Sequence, residues 1–275
     1  MPKNSEENAV RHICGLSGGK DSTALALYMR DKVPEMEYVF CDTGKELDET
    51  YEYLARVEAY LGKKLVRLNA EQDFDHWLKV FDGFLPSPQS RWCTKLLKLK
   101  PFEKYVGDKP VVSYVGIRAD EDRVGLISGK PNLTTVFPFK EDGIDYAGVM
   151  RILEDSGIGL PPYLSWERSH SGCFFCFFQS KFEWIQLLHT YPDRFDEAEE
   201  YEKTNATEET PFTWMDDMPL SKLRDPEVQK KVVDAYKKAQ ERRKANYRGS
   251  GRLVESLGGK ETEYQDHRAC LICQL

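Results

Sequence analysis

No stretch of about 18 consecutive apolar residues occurs in the 275-residue chain, so no membrane-spanning helix is expected. The opening Met1-Pro2-Lys3-Asn4-Ser5-Glu6-Glu7-Asn8 has none of the apolar core of a secretory signal, and a cytoplasmic location is the expectation. There is no excess of positive charge. Lys and Arg number 39 against 46 Asp and Glu, a net charge of -7, which argues against a chain-wide attraction for nucleic acid. No internal repeat and no low-complexity segment is present. With 40% hydrophobic and 31% charged residues the balance is that of a soluble protein. At about 150 residues per domain the length corresponds to one large domain or two small ones. Such a chain buries a full core without disulfide or metal staples.

The charge that is present is unevenly placed. Between Ser221 and Arg252 eleven Lys and Arg face four Asp and Glu. This block is either a solvated helix face or a contact for a polyanion. The seven cysteines are not a disulfide set for a cytosolic chain. Cys14 and Cys41 sit in apolar runs and read as core residues. Cys173-Phe-Phe-Cys176 and Cys270-Leu-Ile-Cys273 are two Cys-x-x-Cys pairs, and Cys93 stands alone.

Apolar runs at 10–16, 37–41, 64–68 and 111–115 predict four strands, with a fifth over 136–139. Helices are expected at 23–30, after a turn over 17–22, and at 46–61, where Leu47, Tyr51, Leu54, Val57 and Leu61 make an apolar stripe. Strands alternating with helices predict an α/β fold with a mostly parallel sheet. Its ligands are expected at the carboxyl ends of the strands. Beyond about Asp142 only helices are expected, at 146–155, 181–191, 195–204 and 226–247. Residues 1–140 are therefore read as an α/β domain and 141–275 as a mainly helical C-terminal region. Gly249–Gly259 reads as a flexible linker to the last Cys-x-x-Cys.

The turn after the first strand is Ser17-Gly18-Gly19-Lys20-Asp21-Ser22. Glycines allow a tight turn and close approach of an anion, and the N–H groups at a helix start hold it. Lys20 adds a point charge and Ser17 and Ser22 add hydroxyl donors. The loop is not a Walker A motif, because Cys14 and Asp21 occupy positions that need Gly and Ser or Thr.

This hexapeptide resembles the PP-loop of the ATP pyrophosphatases, which cleave ATP between the α and β phosphates and use the adenylate to activate an oxygen. Three further segments are similar to the phosphoadenosine-phosphosulfate reductase branch: Asp42-Thr43-Gly44 followed by Glu49-Thr50, Cys93-Thr-Lys-Leu-Leu-Lys-Leu-Lys-Pro101, and Gly116-Ile117-Arg118 with Glu121. They follow the family's order over residues 10 to 125. The resemblance implies an adenine-nucleotide α-hydrolase-like sheet. It also implies that Ser17, Gly18, Gly19, Lys20 and Ser22 cradle the β and γ phosphates of ATP. Asp21 would organise the loop or a Mg2+ ion. Asp42, Thr43, Gly44 and Gly116 would line the nucleotide pocket, and Arg118 would contact a phosphate or the acceptor. Lys20, Asp21 and Arg118 are the implied catalytic set. A local alternative remains for two of them: an ion pair with Asp120 or Glu121 for Arg118, and a helix N-cap for Asp42.

Two thiolates at the Cys173/Cys176 spacing point to one centre from a tight turn, which suits zinc or an iron–sulfur cluster. Adenylylsulfate reductases of the same branch hold a 4Fe-4S cluster with a Cys-Cys pair before the Lys…Pro segment and a later Cys-x-x-Cys. This chain is similar except that Trp92-Cys93 replaces the pair. The implied ligands are Cys93, Cys173 and Cys176, with Cys270 or Cys273 as the fourth; zinc is the alternative, and His170 and His267 lie three residues from a cysteine. The Cys270-Leu-Ile-Cys273 tail departs from the Glu-Cys-Gly segment of the reductases.

The function implied is an ATP-dependent adenylating enzyme of sulfur transfer, of the DNA phosphorothioation or thiolation type. A sulfonucleotide reductase releasing sulfite is the alternative, and a nucleotide- and cluster-binding sensor is the non-enzymatic one. Implied partners are ATP, a nucleic acid against the basic segment 226–248, and a sulfur-donor or thioredoxin-like protein.

Overall fold

The computed structural model describes residues 10–122, 130–203 and 212–249. Five strands form one parallel sheet: β1 Arg11–Gly15, β2 Glu37–Asp42, β3 Val66–Asn69, β4 Val111–Tyr114 and β5 Leu133–Val136. Their order across the sheet is β3-β2-β1-β4-β5. The order reverses between β1 and β4, where Arg11 pairs with Val111 and Cys14 with Tyr114. In such a sheet the loops leaving the two reversing strands diverge to opposite faces and open a crevice. The loops beginning at Leu16 and at Val115 flank it.

The inner strands β1 and β2 are apolar on both faces, as a covered parallel sheet requires, while the edge strands β3 and β5 expose Arg67 and Thr134. Along β2, Tyr38 and Phe40 join one core while Val39 and Cys41 join another. The first core is closed by α1 Lys20–Met29, α2 Asp48–Leu61 and α6 Tyr146–Ser156, through Leu25, Ala26, Leu54, Val57, Val149 and Leu153. The second is closed by Phe102 and Val106 of α4 Lys100–Val106. Between these helices in sequence lies α3 Phe74–Val80. After β5 comes the short α5 Pro138–Glu141.

A third core is aromatic. Phe74 of α3 sits 4.3 Å from Phe175 and 5.1 Å from Trp92, ring centre to centre, and Phe175 stacks on Trp214 at 5.1 Å. It joins α3 and the Cys93 segment to α7 Lys181–Thr190 and α8 Pro192–Lys203. The last element is α9 Pro226–Gly249, whose Tyr236 stacks on Phe182 at 3.7 Å. Apart from an isolated antiparallel bridge between Met215 and Met218, no strand follows β5 among the described residues.

Two expectations shift. The first helix begins at Lys20 rather than Thr23, because Gly19 takes the N-cap position and Thr23 N–H already reaches the Gly19 carbonyl at 3.0 Å. The fifth strand ends at Val136, where expectation had it begin. Pro138 sits in the first turn of α5, and its fixed φ suits that position and not a sheet interior.

Candidate functional site

The loop over 17–22 crosses the crevice mouth as a tight turn. Gly18 has φ +74°, a left-handed conformation that a side chain resists. Gly19 packs so closely that a Cβ there would lie 2.8 Å from Ser171 Oγ. Ser22 Oγ accepts from Ser17 N–H at 3.2 Å and donates to the Gly19 carbonyl at 3.2 Å, closing the loop on itself. Gly19 brings no side-chain cap to α1, and at this helix start Lys20 N–H donates to the Tyr163 hydroxyl at 3.2 Å.

On the other side of the crevice, Gly116 lets the chain pass close to α1; a Cβ there would sit 2.9 Å from the Asp21 carbonyl. Arg118 follows. It is 3% exposed, and its guanidinium meets three carboxylates: Asp21 at 3.0 Å, Asp120 at 3.0 Å and Glu121 at 3.1 Å. The pairing expected as an alternative is therefore real, but it is buried and it includes the loop's own aspartate. Lys20 Nζ holds the second oxygen of Asp21 at 3.1 Å. Burial pushes the Asp21 carboxyl up, but Lys20 and then Arg118 outweigh it and hold the acid ionised. The Tyr146 ring lies 5.4 Å from the Arg118 guanidinium and 6.0 Å from Lys20 Nζ. Two cations, Lys20 and Arg118, are thus fixed beside a helix start, sharing the carboxylates of Asp21, Asp120 and Glu121.

The turn after β2 follows the strand next to β1. Asp42 is not an N-cap; Leu47 holds that position of α2. Its Oδ1 instead accepts from Gly44 N–H and from Tyr51 OH, each at 2.8 Å. Gly44 takes φ +70°. Thr43 Oγ1 lies 3.1 Å from Cys173 Sγ and 3.3 Å from Glu46 Oε1.

Cys173 belongs to a strap that runs from the phosphate loop to a second pocket. Ser171 Oγ lies 3.3 Å from Ser17 Oγ. Arg168, 2% exposed, donates to the carbonyls of Gly172 at 3.2 Å and Cys173 at 2.6 Å. Phe174 N–H reaches the Lys45 carbonyl at 2.9 Å, and Cys176 N–H closes the turn on the Cys173 carbonyl at 3.0 Å.

Cys93, Cys173 and Cys176 line one pocket of about 480 Å3 including its mouth, with Thr43, Lys98 and a wall of Phe74, Phe175, Phe177 and Phe178. Residues Thr94–Leu99 form a π-helical segment running into α4. Its wider turn brings Cys93, Thr94, Leu97 and Lys98 onto the same pocket. Cys41 thiol lies 3.7 Å from the Lys98 carbonyl. Cys14 and Cys41 are fully buried in the sheet, where burial pushes their thiols up to about 12 and about 11. Burial, with Glu46 beside it, raises Cys173 as well.

Three thiols around an apolar pocket are a soft donor set of the kind iron–sulfur and zinc sites use. Among the described residues, no three His, Cys, Asp or Glu converge on a single metal-ion position. Cys270, Cys273 and His267 lie outside the described residues. His170 Nδ1 is 2.8 Å from the Ser171 carbonyl oxygen.

The loop over 17–22, Gly116 and Arg118 are thus brought together at the crevice, while Asp42, Thr43 and Gly44 sit in the neighbouring turn after β2, against Tyr51, Glu46 and Cys173. Glu46, Lys98, Arg168 and Ser171 were missed. Each is a neighbour of a recognised motif, but nothing local marks its burial.

Residues 11–126 match the family described as phosphoadenosine phosphosulfate reductase domain. A curated but uncharacterized protein of Methanocaldococcus jannaschii is 36% identical over 124 residues, 43% of this chain and 25% of that protein. The tRNA-specific 2-thiouridylase MnmA of Streptococcus uberis is 28% identical over 152 residues, 46% of this chain and 40% of its own length. The chain thus spans less than half the length of these relatives. Among solved structures, a phosphoadenylyl-sulfate reductase from Candida auris in a phosphate complex aligns with TM-score 0.49 at 17% identity, covering 60% of this chain and 82% of the other. The U34-tRNA thiolase NcsA from Methanococcus maripaludis, with its 4Fe-4S cluster, aligns at 0.33 and 16% identity, covering 74% of each.

Proposed function

We propose, from the match of residues 11–126 to the family described as phosphoadenosine phosphosulfate reductase domain, that the protein is an ATP-dependent adenylating enzyme of sulfur transfer. It cleaves ATP between the α and β phosphates and delivers the adenylate to an oxygen that sulfur then displaces. One observation carries this reading: the strap from Ser171 to Cys173 is shared by the phosphate loop and the thiol pocket. Nucleotide and sulfur chemistry then work across one wall.

The roles follow from the geometry. The amides of Gly18, Gly19 and the start of α1, with Lys20, hold the departing pyrophosphate. Arg118 and Lys20 neutralise the charge that builds on it. Asp21, kept ionised, is available to a Mg2+ ion that accompanies ATP. The Asp42–Gly44 turn lines the nucleoside side. Cys93, Cys173 and Cys176 would hold a 4Fe-4S cluster in the apolar pocket, with the C-terminal Cys270 and Cys273 as further thiolates; zinc is the other metal this donor set takes. When bound, the cluster supplies a site for carrying or receiving sulfur.

The acceptor class favoured is nucleic acid. The relative MnmA is named for tRNA thiolation, and α9 presents Lys230, Lys231, Lys237, Lys238 and Arg242 to solvent. The test is pyrophosphate release from ATP by the anaerobically prepared protein with bulk tRNA, duplex DNA or neither. Release that depends on one nucleic acid, and is abolished by Lys20→Ala, is the expected result; no release with any acceptor would sink the proposal.

The family match itself favours a second reading, a sulfonucleotide reductase. There a thiol would attack the sulfur of the sulfonucleotide, and two electrons from a thioredoxin-like dithiol would release sulfite. Sulfite formed from adenylyl sulfate or its 3′-phosphate, with no pyrophosphate from ATP, selects it.

A further inference from the structure

Tyr163 comes from beyond the matched residues 11–126 and reaches the phosphate loop. Pro162 opens the short 3-10 helical turn Pro162–Trp166, and Arg168 N–H returns to the Tyr163 carbonyl at 3.1 Å. The ring is buried in the aromatic core, 4% exposed. A tyrosine so placed buries its body and needs a polar partner for its tip. The tip lands on the start of α1, where its oxygen accepts from Lys20 N–H at 3.2 Å. From the same segment, Ser171 Oγ lies 3.3 Å from Ser17 Oγ. The loop is thus gripped at two points from the C-terminal region.

The neighbouring amides divide into two kinds. Thr23 N–H closes on the Gly19 carbonyl and Ser17 N–H on Ser22 Oγ. Among the described residues, the amides of Gly18, Gly19, Asp21 and Ser22 donate to no protein group. Amides left bare at a helix start converge on one anion. Lys20 N–H sits among them, covered by the Tyr163 hydroxyl. That cover does not remove a donor from the loop. An oxygen that accepts from an amide keeps its own hydrogen, which points away from the amide. Acceptance from Lys20 N–H also polarises the O–H and makes it a stronger donor. The hydroxyl therefore continues the row of amides.

We propose that Tyr163 is a nucleotide-binding residue of the crevice, its hydroxyl donating to a phosphate oxygen held by the amides of Gly19, Asp21 and Ser22. The ligand class is the polyphosphate chain of a nucleotide. The proposal rests on the ATP reading given above. It adds that the matched domain does not complete its own phosphate site, because the C-terminal region supplies one of the donors.

The experiment measures affinity for ATP and for inorganic pyrophosphate by calorimetry. It compares the full-length chain, Tyr163→Phe, and protein carrying 3-fluorotyrosine in place of Tyr163, with urea unfolding of each. Phenylalanine keeps the ring in its core and loses only the hydroxyl. Loss of a hydrogen bond to a charged group is expected to weaken both ligands about 10-fold or more. Fluorine beside the hydroxyl makes it a better donor and a poorer acceptor. Donation to the ligand then predicts tighter binding than in the parent. A hydroxyl that only caps Lys20 N–H predicts lower stability and no gain in affinity. The proposal is overturned if folded Tyr163→Phe binds pyrophosphate as tightly as the parent, or more tightly, as a hydroxyl that merely occupies the ligand's place would allow. It is equally overturned if the fluorinated protein binds no better than the parent, and that protein decides alone should Tyr163→Phe fail to fold. A parent chain that binds neither ATP nor pyrophosphate overturns it together with the ATP reading. A parent chain that binds pyrophosphate in the Tyr163-dependent way, but releases none from ATP with any acceptor, leaves Tyr163 assigned and sinks only the adenylating reading.

Discussion

Arg118 Nη1 lies 3.0 Å from Asp21 Oδ1 across the crevice where the sheet reverses its strand order. The two residues come from different walls, one after β4 and one in the first turn of α1. Their pairing ties the two walls together. It also fixes the guanidinium, because Asp120 holds its Nε and Glu121 shares Nη1 with Asp21.

Removing Arg118 should therefore cost both stability and binding. Arg118→Ala leaves the Asp21 and Glu121 carboxylates sharing one cation fewer in a buried place. Loss of one partner of such a pair costs about 3–5 kcal/mol. Urea unfolding should show that loss, and calorimetry should show ATP affinity falling with it. Arg118→Lys, which keeps the charge but not the fork, should recover part of the stability. An Arg118→Ala protein as stable as its parent would refute the role given to the cluster.

The strap predicts a rescue. A methyl at Gly19 would meet Ser171 Oγ at 2.8 Å. Gly19 has φ -80°, so the backbone itself accepts alanine. Gly19→Ala should then destabilise by about 1–3 kcal/mol through overpacking alone and weaken nucleotide binding. Adding Ser171→Gly should return most of the stability. If the double variant is no better than the single one, the contact between loop and strap is not what Gly19 protects.

The edge of the sheet gives a pH test. Arg11 at the start of β1 grips Glu37 at the start of β2 through two hydrogen bonds, at 2.8 Å and 2.6 Å. The Arg11 hydrogen bonds hold the Glu37 carboxyl below its ordinary value of 4.5, against the opposing effect of partial burial. A depressed folded-state value means that the unfolded chain takes up protons first as pH falls. The stabilisation is thus fully present above about pH 5 and is lost as the pH drops through and below 4.5. Glu37→Gln should cost about 1–2 kcal/mol at neutral pH, and the gap between the two proteins should close on acidification. A gap that is constant from pH 7 to pH 4 would contradict this account.

Much of this architecture is written locally. Gly18 needs a positive φ, and the inner strands are apolar on both faces, so turn and sheet could be read from adjacent residues. The loops of the crevice follow, since a parallel sheet presents them at one edge. What was hidden is long-range. Glu46 and Cys173 touch although 127 residues apart, and nothing near Glu46 in sequence marks it as buried. Charged residues ordinarily signal surface, so Lys98, Arg168 and Glu46 read as solvated. Helix α3 and the π-helical turn at Thr94–Leu99 were hidden for a related reason. Their apolar side chains, Phe74 and Leu97, are buried only by the aromatic core contributed from Tyr163 to Leu223, so the local pattern is too short to stand alone.

The basic face of α9 makes the last prediction. Lys230, Lys231, Lys237 and Lys238 are all exposed. If they contact the phosphates of a nucleic acid, binding should weaken linearly in the logarithm of salt concentration, and each lysine lost should reduce the slope by about 0.7–0.9. Replacing Lys237 and Lys238 by Ala should thus lower the slope by about 1.4–1.8 if both make such contacts. The same change should leave ATP binding unaltered, since α9 contributes no residue to the crevice described above. A slope that does not move would assign the charge of α9 to solvation and direct the search for the acceptor back to the crevice itself.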